Sequence, residues 1–344
     1  MPDSPLSTIH AQAPIRICDI GGWTDTWFAE YGSIFNIAVS PYAQVQINIY
    51  PRENFPAPVR LCVANFGDVY DYDPAKPGWE KHPLLEAAIR REGIPEDVAV
   101  EITIHCAAPP GGSTGTSAAV TVALIGALDA LTPGHITSHE VAAAAQAVET
   151  QDLGLQCGIQ DQLCAAYGGI NFIEMIHYPL ASVAQLQPPS AVLAELEARL
   201  ALVYLGKSHQ SSNVHQKVIT QLENAGADCA PLNELRTLAT TARNALAAGD
   251  FSAFGKAMNA NTAAQARLHP DLVSKDARRV IEIAQKHGAT GWKVNGAGGD
   301  GGSLTLLCTG GPTAKRGLLD DISQAHPDFR IIPITLDQHG LQVW

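Results

Sequence analysis

Pro109 to Ala119 read PPGGSTGTSAA and run straight into VTVALIGALDAL, Val120 to Leu131. Gly111, Gly112, Ser113 and Gly115 are small enough for the main chain to approach a polyphosphate closely. The helix that follows turns its unpaired N–H groups and its dipole toward such an anion. The stretch therefore predicts a phosphate cradle built from backbone, and with it ATP chemistry. It is not a P-loop, because GxxxxGK[ST] needs a lysine at the terminal phosphates and these residues contain neither Lys nor Arg.

The chain has 344 residues, 46% of them hydrophobic, which is enough for two domains with cores of their own. Its longest apolar stretch, around Ala118 to Leu128, is broken by Thr121 and Gly126 and is too short for a bilayer span. The N-terminus lacks both a basic start and an apolar run, so no signal peptide is expected and the protein is read as cytoplasmic, without a membrane partner. A net charge of −12 argues against nucleic acid. It also means that positive potential for ATP must come from backbone N–H groups, helix N-termini and bound Mg²⁺. The seven cysteines are odd in number, scattered and without CxxC spacing, and read as reduced thiols. His135 and His139 share a helical spacing, but HITSH lacks the glutamate of a zinc-protease motif.

In the first half, residues 43–51 and 99–107 alternate with period two and predict strands. Residues 84–93 predict a helix ending at Gly93, and further helices follow over 117–131 and 138–152. A strand over 168–175 precedes QPPS, at Gln187 to Ser190, the best domain boundary. The second half predicts helices over 211–222, 232–248, 251–268 and 275–287, with strands over 202–205, 303–307 and 330–335. This order predicts an α+β domain with an antiparallel sheet. Lys293 to Gly302 read KVNGAGGDGG, in which Gly296, Gly298 and Gly301 spell GxGxxG, with Asp320 and Asp321 about twenty residues on. A dinucleotide fingerprint must open a helix, whereas SLTLLC after Gly302 reads as a strand. The better reading is a glycine turn from the second domain that closes over the cleft of the first.

Three stretches, in this order, resemble the GHMP small-molecule kinases: APIRICDIGGWTDT at Ala13 to Thr26, PPGGSTGTSAA, and KVNGAGGDGG. The first, with GIQDQLCAAYGGINFIEM at Gly158 to Met175 and LGKSHQSSNVHQ after Tyr204, is similar to the sugar-kinase branch that includes L-fucokinase and D-glycero-D-manno-heptose 7-phosphate kinase. The resemblance implies an α+β fold of two domains. Residues 1–188 would be a ribosomal protein S5 domain 2-like ATP- and sugar-binding domain, and 189–344 a ferredoxin-like domain. It implies transfer of the γ-phosphoryl group of ATP to the anomeric hydroxyl of a monosaccharide.

Carried over by position, Pro110, Gly111, Gly112, Ser113, Thr114, Gly115, Thr116 and Ser117 would hold the nucleotide. Ser117 and Glu149 would hold Mg²⁺. Asp161 would be the catalytic aspartate, with Arg16 stabilising it and the transferring group. Gly22, Trp23, Thr24, Asp25, Asp161 and Gly298 would contact the sugar. The chain departs from the family's spelling at Thr114, Thr116 and Asp300, the last placing a carboxylate near phosphates. Around the first motif Asp19, Asp25 and Glu30 face only Arg16 as a cation, which favours an acceptor without a phosphate of its own. A heptose 7-phosphate or a uronic acid is the alternative acceptor, and a non-catalytic sugar and nucleotide sensor the alternative role. The oligomeric state, monomer or homodimer, stays open.

Overall fold

The computed structural model describes residues 4–132, 135–207 and 213–344. β1 (Ser7–Ile20) and β2 (Gly32–Pro51) are long antiparallel partners. β3 (Val59–Val63) and β4 (Asp68–Tyr72) form a hairpin, and β3 lies parallel to β5 (Val98–Cys106), itself antiparallel to the second half of β2. The first half of β2 pairs instead with β6 (Ile170–His177), which continues into β7 (Leu180–Leu186). β2 thus serves two sheet branches, and its length is what allows this.

The buried face of this sheet carries α1 (Pro83–Glu92), α2 (Thr116–Asp129), α3 (Ser138–Ala147) and α4 (Gln160–Tyr167). α2 has almost no polar face, as expected of a helix enclosed by core. It packs on β1 and β2 and on all three other helices. α3 starts with a reciprocal capping box between Thr137 and Glu140. Its expected extension to residue 152 is present as one wide π turn, Val148–Asp152, which presents Glu149.

The second half begins after the QPPS break with α5 (Ser190–Arg199) and β8 (Leu200–Tyr204). There follow α6 (Asn213–Ala225), α7 (Ala230–Ala247), α8 (Phe251–Leu268) and α9 (Lys275–Lys286). β9 (Gly291–Val294) and β10 (Ser303–Leu307) precede α10 (Gly311–Ala325) and β11 (Arg330–Ile332). The sheet order is β11-β8-β10-β9, antiparallel throughout. Val280, Leu318 and Ile322 cover one face of it, over Val203 and Leu304. From its other face Leu200, Leu202 and Leu307 join the core of the first half, together with Ala239 and Phe254 from α7 and α8.

The two halves therefore share one continuous core. β12 (Gln342–Val343), assigned by sequence to the second unit, returns to pair with β1 and completes an eight-stranded first sheet. Leu341 packs on Gly126 of α2 in the same return. After Gly302 the chain enters β10, so the GxGxxG spelling lacks the helix a dinucleotide site requires. All seven cysteines are free thiols. Among the described residues no helix is long and apolar enough to cross a membrane.

Candidate active site

Between β5 and α2 the chain turns through three residues with positive φ, Gly111 (66°), Ser113 (55°) and Gly115 (68°). Gly115 is the N-cap of α2 and no side chain caps its first turn, which leaves that end open to an anion. A Cβ at Gly115 would lie 3.2 Å from Asp161 Cγ and 3.3 Å from Arg16 Cγ. Glycine is thus required there both by φ and by the close approach of the loop to an ion pair. Beside it opens a cleft of about 860 Å³ whose wall includes Arg16, Trp23, Asp25, Ser117, Glu149 and Asp161. Residues from five separate stretches of the sequence meet there.

Arg16, near the buried end of β1, is 5% exposed and fully engaged. Its Nε donates to Asp161 Oδ1 at 2.8 Å and its Nη2 to Asp161 Oδ2 at 3.1 Å, while Nη1 donates to the Ser113 carbonyl. Against the burial that opposes it, the charges of Asp161 and Asp19 raise the guanidinium above its ordinary pKa. Asp161 sits in the first turn of α4 with 29% of its side chain exposed, and each oxygen keeps a lone pair for a hydroxyl in the cleft.

Asp25 is 4% exposed, and its Oδ2 accepts from Ile159 N at 3.2 Å and Gln160 N at 3.3 Å. It caps α4 from a distant loop. Trp23, at φ +78°, stands on the cleft wall with its ring 5.9 Å from that of His215. Thr24, expected at the sugar, is instead fully buried in its own turn, donating to Gly21 O at 2.7 Å and accepting from Ser33 N at 3.2 Å. Gly22 lies on the cleft wall.

Ser117 and Glu149 also line the cleft. Both are hard oxygen donors, and Gln162 Nε2 orients the carboxylate at 2.8 Å. Burial, and then the charge of Asp161, push Glu149 up to about 7. A carboxylate so short of positive charge fits Mg²⁺ well, and two protein donors leave the other positions to water and phosphate oxygens. Among the described residues no cluster of three His, Cys, Asp or Glu offers a competing metal cage.

Asp25 is likewise raised to about 6, by burial first and Asp161 second. The native protein therefore takes up protons at pH 6 to 7 that the unfolded chain binds only near its ordinary carboxylate values of about 4. Stability without ligand should then rise as the pH falls from 8 toward 5. Thermal melts across that range are expected to show a Tm several degrees higher at the acid end, with MgATP reducing the difference. A Tm that falls steadily along the same path contradicts the assignment.

The third motif reaches this site from the second half. The wall receives Gly296 and Ala297, whereas Gly298 (φ +80°) turns away, its absent Cβ 2.3 Å from Leu272 O and its carbonyl accepting from His215 Nε2 at 3.0 Å. Asp300 points outward to Lys207 Nζ at 3.5 Å, and His209 lies outside the described residues. The first motif has a second cation that its sequence surroundings did not show, Lys293, whose Nζ is 3.4 Å from Asp19 Oδ1.

Two family models match the chain: GHMP kinases N terminal domain over residues 83–169 and GHMP kinases C terminal over 242–317. The chain is 26% identical over 312 residues to a bifunctional fucokinase/GDP-fucose pyrophosphorylase of Arabidopsis thaliana, covering 86% of this chain but 29% of that protein. It is 23% identical over 346 residues to a D-glycero-alpha-D-manno-heptose 7-phosphate kinase of Campylobacter jejuni, over 98% of this chain and 99% of the relative. The fold is shared with the crystal structure of a D-glycero-D-manno-heptose 1-phosphate kinase from Bacteroides thetaiotaomicron, with TM-score 0.75 at 21% identity over 98% of both chains.

Proposed function

Given that the chain is a GHMP kinase by its two domain models and is similar to sugar kinases of that family, we propose that it transfers the γ-phosphoryl group of MgATP to the anomeric oxygen of a monosaccharide. The carrying observation is the bidentate Arg16–Asp161 pair on the cleft wall, 3.2 Å from the position of a Gly115 Cβ at the open end of α2. That arrangement sets a hydroxyl acceptor beside an anion cradle, which is what phosphoryl transfer asks of a protein. Mg²⁺, held by Ser117 and Glu149, would neutralise phosphate charge. Asp161 would accept or orient the proton of the attacking hydroxyl. Arg16 holds that carboxylate in line and adds positive charge where the transferring group passes.

The acceptor is an uncharged sugar. Along the described wall Asp19, Asp25, Glu149 and Asp161 face Arg16, already occupied, and His215, whose burial lowers its pKa. A second phosphate or a carboxylate would enter this acidic cleft without a free guanidinium to receive it. Trp23, only 8% exposed and packed on Phe28 and His215, and the more open Trp27 give the cleft apolar surface for a pyranose ring instead. The test is Mg²⁺-dependent ADP release with a panel of neutral hexoses, deoxyhexoses and heptoses beside glucuronate and a heptose 7-phosphate. A neutral sugar is expected to give the highest kcat/KM and a product that has lost its reducing end. Preference for a phosphorylated acceptor would overturn the neutral assignment, and ADP release without any sugar acceptor would overturn the kinase reading.

A further inference from the structure

Resting on that kinase reading, we propose that Lys293 and Asp19 are positioning residues of the transfer centre. Together they form a buried ion pair that seats the Gly296 turn on the phosphate loop and sets the guanidinium of Arg16 toward Asp161. Lys293 has no exposed surface and Asp19 essentially none, and the two are 274 residues apart in the chain. Lys293 Nζ donates to Asp19 Oδ1 at 3.4 Å, to Gln265 Oε1 at 3.1 Å and to the carbonyl of Val294. Asp19 turns both oxygens to the Gly296 N–H, 3.0 Å from each, and lies 3.8 Å from Arg16 Nη1. Gln265 Nε2 closes the ring by donating to Gly296 O at 2.9 Å.

Both consequences for the site follow from these contacts. A Cβ at Gly296 would stand 3.1 Å from Ser113 Cβ and 3.6 Å from Arg16 Nη2, so the turn held by Asp19 rests on the phosphate loop and on the guanidinium at once. Arg16, Lys293, Asp19 and Asp161 form a balanced quartet of two cations and two carboxylates, so that no member is buried unpaired. Arg16, Asp19 and Asp161 line the cleft. Lys293 acts through Asp19 and does not line it.

The experiment compares Asp19→Asn, Lys293→Met and the double variant Asp19→Leu/Lys293→Met by steady-state kinetics and thermal melting. Each single change strands a buried charge and should lower Tm, whereas the double change removes both charges and should recover most of it. If the pair positions the centre, kcat of the double variant stays about 10- to 100-fold down while KM for ATP and sugar moves much less, because a misplacement near 1 Å carries a penalty of that order. Recovery of kcat together with Tm overturns the proposal and leaves the pair a purely structural role. Asp19→Asn keeps the shape of the side chain and an acceptor for Gly296, and is the folded reference should the methionine variants fail to express; its wild-type kcat would also overturn the proposal. A wild-type chain that phosphorylates no sugar defeats the kinase reading itself, a failure distinguished by involving no variant.

Discussion

Asp161→Asn is expected to lower kcat by about 10²- to 10⁴-fold, the range general-base and charge-positioning groups supply, with KM for ATP nearly unchanged. The asparagine keeps the size of the side chain and one oxygen for Arg16 Nε, now 2.8 Å away. It loses the second carboxylate oxygen that Nη2 reaches at 3.1 Å and the negative charge that receives the hydroxyl proton. The phosphate loop meets that carboxylate through Arg16, whose Nη1 donates to the Ser113 carbonyl, while its shape is set mainly by Gly111, Ser113 and Gly115 at positive φ and by the start of α2. Nucleotide binding and transfer should therefore separate, and ATP titration by thermal shift alongside ADP release would show it. Equal loss of ATP binding and turnover would mean that Asp161 is a structural partner of Arg16 only. Unchanged turnover would remove it from the chemistry, and sugar and ATP binding with no turnover in the wild type would favour a sensor.

Much of this site was legible as local spelling. The phosphate loop, GGWTD and KVNGAGGDGG are each contiguous, and glycines in such runs state where a backbone bends or is approached closely. The contacts that tie them together were not, because they join residues far apart in the chain. Lys293 stands inside a quoted motif, yet its burial depends on an aspartate 274 positions earlier and a glutamine on α8. Thr24 sits between Trp23 and Asp25 on the cleft wall but faces into the turn.

The fold divides in the same way. β5 and the second half of β2 alternate and were readable, and α8 and β10 stand at their expected positions. The inner end of β1, from Pro14 through Ile20, is buried on both faces and has no period to read. β9 is only four residues long. α10 starts at two glycines of positive φ and carries Gly317 in its interior, all features that lower a helical signal. The return of β12 to β1 leaves no local trace, since two residues pairing across more than 300 positions owe their place to the finished core.

Gly158→Ala is expected to be among the most damaging single-methyl additions. A Cβ there would lie 2.0 Å from Asp25 Oδ2 and 2.6 Å from its Cγ. The carboxylate is enclosed, and moving it gives up the N–H groups of Ile159 and Gln160, the only side-chain cap at the start of α4 among the described contacts. Overpacking costs about 1–3 kcal/mol and a lost cap about 1 kcal/mol. The substitution also lies three residues before Asp161, so kcat should drop along with Tm. The origin of the damage can be checked by pairing the change with Asp25→Ala, which removes the atoms the new methyl meets. If the clash is the cause, adding Gly158→Ala to Asp25→Ala lowers Tm far less than adding it to the wild type. Equal losses in both backgrounds would place the cost in the backbone of residue 158, and Asp25 would then lose its standing as the cap that holds the catalytic helix.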